Sequence, residues 1–361
     1  MHSGVISTTT KPSANRVGEI DLLRFLAAMA VVLFHYTFRG YAASNYSPMA
    51  FADISPVTKY GYLGVELFFL ISGFVILMTA SSGSLNKFIA SRIARLYPAF
   101  WFGCTLTFIA IFIFGGERFS ADVKQFLLNL TMLHEFIHVK SIDGVYWTLT
   151  IELKFYAMVV LVLLLRQIHR AEAFLAAWLA VSIALIFFPS YRLREILIVD
   201  YSPYFVAGAV CFLIYKRGWS LNRLAMIMVS LTLAIYGALR SLAIIEKMYS
   251  TPFDGALIAA IICSFFVVMA LIASRKLTIV TKRNWTLVGT LTYPLYLIHQ
   301  NIGYMMLGYA HTRVNSYVAL FTVIGLMLLA SYAVHRFVEK PFAKPLRIFC
   351  ERALAKTRIA R

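Results

Sequence analysis

The chain has 361 residues, of which 60% are hydrophobic and only 14% are charged. A soluble domain averages about 25% charged residues and is less than half apolar, so the composition excludes an ordinary soluble enzyme and predicts a polytopic membrane protein. The formal net charge of +18 would suit a nucleic-acid partner. An excess of Lys and Arg in cytoplasmic loops explains it better, and we expect no nucleic acid to bind.

Ten apolar stretches are long enough to cross a bilayer, and they must be helices because no open sheet edge can face lipid. In chain order they cover residues 20–38, 61–80, 98–115, 145–165, 171–188, 199–215, 220–244, 253–273, 285–307 and 316–338. With the N-terminus in the cytoplasm, 22 Lys and Arg residues fall on the cytoplasmic side and 10 on the outer side. The sequence therefore predicts an all-α bundle of about ten transmembrane helices with both termini cytoplasmic.

The chain divides into one transmembrane domain and two polar ends. Residues 1–17 form a polar tail without the apolar core of a signal peptide. Residues 18–343 hold all ten predicted spans, and residues 344–361 form a basic cytoplasmic tail. The four cysteines are scattered without metal-ligand spacing, so we expect them to be core residues. Any chemistry must therefore lie in the helices and their short loops.

The first predicted helix carries one arginine and one histidine in an otherwise apolar run. Arg24 and His35 are eleven residues apart, which at about 100° per residue places them on one face, roughly 16 Å apart along the axis. Ionisable groups at such depth usually face a bundle interior or a wet cavity. The pair predicts a site that reaches through the membrane.

Four titratable side chains on four helices are predicted at one level near the outer surface: His35, Glu66, Glu152 and His299. Their positions are counted from the helix ends at about 1.5 Å per residue. Histidine is suited to moving protons near neutral pH, and a carboxylate beside it would fix its tautomer. The alternative is that these groups only fix contacts between helices.

A cluster of arginine side chains is predicted near the cytoplasmic face of the membrane. Arg92 and Arg95 lie at i and i+3 of one helix, and Arg24 could join them. Arginine pairs suit phosphate, although ordinary positive flanking of a membrane helix is the alternative. Trp147 and Tyr156 could stack on a sugar, or they could serve as packing residues and interfacial anchors.

Six motifs stand in a characteristic order along the chain. They are Ile20-Asp21-x-x-Arg24 followed by His35, the run Gly64-Val65-Glu66-Leu67-Phe68-Phe69-Leu70-Ile71-Ser72-Gly73-Phe74, Arg92-x-x-Arg95-Leu-Tyr-Pro98, Trp147-Thr-Leu-x-x-Glu152-x-x-Phe155-Tyr156, Tyr293-Pro-Leu-Tyr296-Leu-Ile-His299 and Glu339-Lys-Pro341. Together they resemble the membrane-bound acyltransferase-3 family, which acylates hydroxyls on bacterial glycans, antibiotics and lipids. The chain is similar to standalone members without an outer hydrolase-like domain.

The resemblance implies a ten-helix enzyme that uses cytoplasmic acyl-CoA, commonly acetyl-CoA, as donor. It implies that His35 is the essential catalytic residue and that Glu66 and Glu152 lie near the reaction centre. It also implies that three arginines bind the donor or stabilise charge: Arg24, Arg92 and Arg95.

These expectations define an O-acetyltransferase of the bacterial inner (plasma) membrane, with membrane lipid around it and no metal. The acceptor would be a hydroxyl of a glycan, a lipid-linked sugar or another molecule, and the oligomeric state stays open. We expect Trp147, Tyr156 and His299 to contact the substrate.

Two other functions compete with acyl transfer. His134-Glu135-Phe136-Ile137-His138 fits the H-E-x-x-H pattern of zinc proteases, in which an α-helix puts both histidines on one face. Buried Arg, His and Glu side chains would also suit a proton-coupled transporter of glycan or lipid. No internal repeat of the kind many transporters carry is evident in the sequence.

Overall fold

The computed structural model describes residues 17–43, 45–277 and 284–359. Within these residues the chain is helical and contains no β-strand. The long helices are α1 Gly18–Ala42, α2 Ser55–Ala80, α3 Leu85–Phe114, α4 Gly144–Leu164, α5 Ile168–Phe187, α6 Ser202–Arg217, α7 Leu221–Tyr249, α8 Gly255–Ala273, α9 Thr286–Ile298, α10 Gln300–Ala310, α11 Ser316–Val334 and α12 Lys340–Ile359. The all-α polytopic fold is confirmed.

Eight helical stretches in the described part of the chain are long and apolar enough to cross a membrane. They are α1 to α5, α7, α8 and the continuous stretch Ser316–Lys356 that joins α11 to α12. The two remaining predicted spans are built differently. Residues 199–215 correspond to α6, which has only 16 residues, and residues 285–307 are split into α9 and α10 at His299.

Helix α6 is short because it lies in the middle of the bundle. Its residues Ser202 to Ile214 are all buried. Glycines allow it to approach α2 closely: a Cβ on Gly208 would lie 1.7 Å from the Leu70 carbonyl oxygen, and one on Gly73 would lie 2.1 Å from that of Phe205. Small residues at such crossings let two backbones pack directly inside a membrane bundle.

Two π-helical turns interrupt the α-helical geometry. One, His35–Arg39, lies within α1, and the other, His335–Glu339, joins α11 to α12. Such turns widen a helix by one residue and often occur at functional sites. Both carry residues of the predicted motifs.

The structure can be compared with the predicted domain boundaries at the C-terminal end of the chain. Residues 344–359 continue α12, which packs along α3. Lys11, Arg16, Lys282 and Arg283, which count toward the positive side in the predicted topology, lie outside the described residues. The orientation in the membrane stays a prediction, and "outer" and "inner" below follow it.

Candidate active site

One polar cavity, here called the outer cavity, has a volume of about 640 Å³ and lies among α1, α2, α4, α6 and α7. Its lining includes His35, Arg39, Glu66, Trp147 and Tyr201. A concave site with a few converging polar groups among apolar and aromatic walls is typical of a small-molecule site. His35, Glu66 and Trp147 were predicted site residues, and the fold brings all three to this cavity.

His35 is buried at the start of the first π-helical turn. Its Nδ1 lies 2.8 Å from the Val31 carbonyl oxygen and 3.1 Å from Nε2 of His299. Its Nε2 lies 3.2 Å from Nη1 of Arg39. Neither Glu66 nor Glu152 is among these hydrogen-bond partners, and that either of them orients His35 or the acceptor stays a prediction.

The partners of the two rings determine where their protons lie. Nδ1 of His299 contacts the carbonyl oxygens of Tyr296 at 2.8 Å and Leu295 at 3.2 Å, so Nδ1 carries a proton. Nε2 of a neutral His299 is then an acceptor, and Nδ1 of His35 must donate to it. Since Arg39 can only donate, Nε2 of His35 is unprotonated. His35 thus presents a basic nitrogen at the outer cavity.

His299 is not among the residues that line the outer cavity. Its ring is fully buried, and both nitrogens are engaged. The structure places it against His35, and that it contacts substrate stays a prediction. His299 occupies the break between α9 and α10, so its side chain lies at a helix end rather than on a continuous helical face.

Asp143, in the loop before α4, stabilises that break. One carboxylate oxygen accepts the Asn301 N–H at the start of α10 at 3.0 Å, and the other accepts the Val145 N–H at 3.2 Å. Burial raises the pKa of Asp143 to about 6, while these N–H donors and Arg39 oppose the rise. The sequence analysis missed this residue, although an Asp just before a helix is a capping signal.

Arg39 was also missed and was counted only as an outer-loop charge. Its Nη1 bridges from His35 to Oε1 of Gln300, which lies 3.4 Å away. The spacing of four residues from His35 was the available signal, because such neighbours share a helix face. The arrangement puts a permanent cation beside the basic nitrogen.

Three buried polar atoms beside the outer cavity have no hydrogen-bond partner among the described residues. They are Glu66 Oε2, Tyr62 Oη and Arg39 Nε. Unsatisfied buried polar atoms are costly and rare in proteins. All three belong to residues that line this cavity, so they mark it as a polar region of an otherwise apolar bundle.

The second cavity, here called the inner cavity, has a volume of about 470 Å³. Five cationic side chains line it, from α1, α3 and α12: Arg24, Arg92, Arg95, Lys344 and Arg347. The three arginines that the sequence predicted to act together are thus brought together. Lys344 and Arg347 were assigned to a tail and were missed, because no local pattern ties the end of the chain to α3.

Glu152 and Tyr156 lie in the inner cavity, not beside His35. Glu152 accepts hydrogen bonds from Ser72 at 3.1 Å and from the Tyr156 hydroxyl at 2.7 Å. The Arg92 guanidinium lies 5.9 Å from the centre of the Tyr156 ring. The depth in the membrane that was predicted for Glu152 by counting residues from the helix end is wrong. Helices that are tilted and unequal in length do not all begin at the same depth. Tyr156 is correspondingly a neighbour of the arginines and not of Trp147.

The second π-helical turn connects α12 to this cavity. Glu339 is buried, and its two oxygens face Arg95 at 3.4 Å and Nδ1 of His335 at 2.8 Å. The Arg95 guanidinium also lies 5.4 Å from the centre of the Tyr293 ring. These contacts fix Arg95 and place the first turn of α12 against the cavity.

One turn of α9 separates the two cavities. Tyr293 lines the inner cavity and Tyr296 lines the outer cavity. The Tyr296 hydroxyl lies 2.9 Å from that of Thr148, and the Tyr293 hydroxyl donates to the Leu96 carbonyl at 3.1 Å. Tyr293 and Tyr296 thus bring one helix into contact with both cavities.

The H-E-x-x-H match does not form a zinc-protease helix. His134 to Ile137 form a 3₁₀ turn, and His138 has a left-handed backbone with φ of 56°. His134 is buried and lies 2.9 Å from the Ser141 hydroxyl, whereas His138 is exposed. The two histidines therefore do not share a face, and among the described residues no group of three possible metal ligands occurs.

A model of an acyltransferase domain matches residues 17–336, which include the whole lining of the outer cavity and that of the inner cavity except for its residues on α12. The chain belongs to the acyltransferase-3 family. It is a multi-pass membrane protein of this family, as the fold and the motifs indicated.

Three relatives are similar to part of this chain. Acyltransferase MdmB of Streptomyces mycarofaciens is 28% identical over 40% of this chain and 38% of its own length. ORF330 of Acidianus two-tailed virus, which carries a provisional acetyltransferase assignment, is 25% identical over 56% of this chain and 59% of its own. Nodulation protein 10 of Rhizobium leguminosarum bv. viciae is 26% identical over 46% and 49%. The chain thus spans less than two thirds of each relative, and no solved structure matches it.

Proposed function

We propose that this protein is an O-acetyltransferase of a bacterial inner membrane, which moves an acetyl group from cytoplasmic acetyl-CoA to an acceptor hydroxyl. The observation that carries the proposal is the unprotonated Nε2 of His35 at the outer cavity. A histidine whose other nitrogen is held by fixed acceptors is arranged to serve as a general base. Membership of an acyltransferase family supports acyl transfer as its use.

The inner cavity would bind the phosphates of the donor. Five cations line it, and arginine binds phosphate through several fixed donors. Arg24 and His35 lie on one face of α1, roughly 16 Å apart along the axis. The extended pantetheine arm of coenzyme A is of comparable length, so it could carry the thioester past Tyr293 and Tyr296 to His35.

The reaction follows from the geometry at His35. Nε2 of His35 would take the proton of the acceptor hydroxyl, whose oxygen forms a bond to the thioester carbonyl carbon. The C–S bond then breaks, and the departing thiolate takes the proton from His35 as free coenzyme A. His299 and the Val31 carbonyl would hold Nδ1 of His35 while the ring is transiently positive.

Two further side chains have roles in this scheme. The acceptor hydroxyl would replace Arg39 as the hydrogen-bond donor to Nε2 of His35. The Arg39 guanidinium would then turn toward the negative charge that develops on the thioester oxygen. Glu66, with an unpartnered oxygen at the same cavity, would accept a hydrogen bond from another hydroxyl of the acceptor. Trp147 could stack on a sugar ring there.

The first test is transfer of radiolabel from [14C]acetyl-CoA in membranes that contain the wild type, His35→Ala or His138→Ala. We expect transfer by the wild type, loss of about 10²–10⁴-fold in His35→Ala, as for removal of a general base, and unchanged transfer in the exposed-histidine control. Equal transfer by wild type and His35→Ala, at equal amounts of folded protein, would refute the proposal.

The second test concerns the donor site. Arg92→Ala or Lys344→Ala should raise the KM of acetyl-CoA about tenfold and leave the KM of S-acetylpantetheine, which lacks the nucleotide, within about twofold. Arg352→Ala, on the same helix as Lys344 but outside the inner cavity, is the matched control. Equal effects on the KM of both donors would show that this cavity does not bind the phosphates of the donor.

A further inference from the structure

Gln300, the first residue of α10, is a buried side chain at the outer cavity that has no part in the reaction proposed above. Its Oε1 lies 3.4 Å from Nη1 of Arg39, and the same Nη1 lies 3.2 Å from Nε2 of His35. Both distances exceed the usual hydrogen-bond length of about 2.9–3.0 Å for a nitrogen donor. One N–H group of Arg39 is therefore shared between two acceptors and is held tightly by neither.

The amide of Gln300 is fixed in one orientation. Its Nε2 donates to Oδ1 of Asn301 at 3.3 Å, while Nδ2 of Asn301 donates to the Ile142 carbonyl oxygen at 3.0 Å. Turning the Gln300 amide over would set its nitrogen against Arg39, which can only donate, and its oxygen against another acceptor. The carbonyl oxygen of Gln300 therefore faces Arg39.

The backbone at the start of α4 supports this amide from another side. A Cβ on Gly144 would lie 2.3 Å from Nε2 of Gln300, so a larger residue there would force the amide to shift. The preceding residue, Asp143, accepts the Asn301 N–H at 3.0 Å and so ties the start of α10 to the same loop. Contacts from α10 and from the chain before α4 thus determine where one amide oxygen lies.

Arg39 itself has few other constraints. Its Nε is buried without a hydrogen-bond partner in the part of the chain that the structure describes. In the proposed reaction the acceptor hydroxyl takes the place of Arg39 at Nε2 of His35, so that only the contact with Gln300 remains. A guanidinium that lost both contacts would not stay beside the thioester, because a long arginine side chain has many rotamers.

We propose that Gln300 is a positioning residue, which keeps Arg39 beside the reacting atoms while the acceptor hydroxyl occupies Nε2 of His35. Gln300 touches no reacting atom in this scheme and acts through Arg39 alone. The inference rests on the acetyl-transfer function proposed above and adds to it the group that confines the cation. Asn301 and Gly144 act less directly, because they hold the Gln300 amide.

The first test is Gln300→Met, which is close to glutamine in size and lacks the amide. The full-length protein is assayed in membranes that contain the acceptor, with [14C]acetyl-CoA as donor and equal amounts of folded protein. We expect the rate at saturating donor to fall about tenfold and the KM of acetyl-CoA to stay within about twofold. The KM is spared because Gln300 lines the outer cavity and the phosphates of the donor would bind at the inner one.

The same change in an Arg39→Gln background separates positioning from a merely structural role. If Gln300 acts through Arg39, Gln300→Met should lower the rate by less than about twofold in that background, because the two effects are not additive. An equal loss in both backgrounds would overturn the proposal. A full rate for Gln300→Met alone would overturn it as well.

A second variant displaces the amide without removing it. Gly144→Ala should lower the rate at saturating donor several-fold, with the KM of acetyl-CoA again within about twofold, because its Cβ would push Nε2 of Gln300 away. Gly308→Ala is the matched control on α10. Its Cβ would meet only Pro48, at 3.8 Å, and it lies outside both cavities, so the rate should not change. Equal rates for the two alanine variants would contradict the proposal.

The outcomes also separate this inference from the function on which it depends. Loss of transfer in His35→Ala with a full rate in Gln300→Met would overturn the role of Gln300 and leave acetyl transfer intact. Unchanged transfer in His35→Ala would instead refute the acetyltransferase function.

Discussion

The two π-helical turns described in this chain share a pattern and differ in one charge. Each begins with a histidine whose ring contacts a charged side chain four residues later: His35 with Arg39 at 3.2 Å, and His335 with Glu339 at 2.8 Å. In the first turn the partner is a cation that can only donate. In the second it is a carboxylate that can only accept when ionised.

That difference separates the two histidines chemically. A guanidinium beside His35 keeps the facing nitrogen unprotonated and therefore available as a base. The carboxylate of Glu339 contacts both the His335 ring and the Arg95 guanidinium, so it links the second turn to α3. The same backbone geometry thus places, at the outer cavity, a histidine that would serve as the base of the proposed reaction and, at the inner cavity, a buried contact with Arg95. The partner's charge, rather than the histidine, sets the role.

The largest expected effect separates the two histidines directly. His35→Gln should lower kcat by about 10²–10⁴-fold, because glutamine cannot act as a general base, whereas His335→Gln should change kcat by less than about threefold. Steady-state acetyl transfer with equal amounts of folded protein measures both. Similar losses in the two variants would show that the difference between the turns does not govern the chemistry.

A smaller effect is expected at the cation of the first turn. Arg39→Gln should lower kcat about 10²-fold with little change in the KM of acetyl-CoA, because charge stabilisation is lost in the transition state only. Arg39→Lys should retain more activity, since it keeps the charge. A rise in KM with unchanged kcat would assign Arg39 to ground-state binding instead.

The smallest effect is expected at the carboxylate of the second turn. Glu339→Ala removes the contacts to Arg95 and His335, so it should loosen α12 and raise the KM of acetyl-CoA about tenfold with kcat nearly unchanged. Glu195→Ala, which breaks the pair with Lys154 outside both cavities, is the control and should stay within about twofold. If both variants behave alike, the buried contact with Arg95 does not position the inner cavity.

Much of the site was predictable because it follows helical periodicity. Arg24 and His35 on one face, and Arg92 with Arg95 at i and i+3, are properties of single helices, and the fold preserves both. Glu152 was misplaced because its neighbours come from α2 and α3, and their tilt and relative height cannot be counted along one helix. The contact of His299 with His35 could not be predicted from the sequence, because the two residues are 264 positions apart.

The sequence alone determined that this chain is a helical membrane protein of the acyltransferase-3 family, because apolar length, motif order and helical spacing are all local. Only the tertiary structure decided which nitrogen of His35 is basic, since that depends on acceptors from His299 and a donor from Arg39. It also decided that α12 completes the inner cavity. These are matters of contact between distant segments, which packing of whole helices sets.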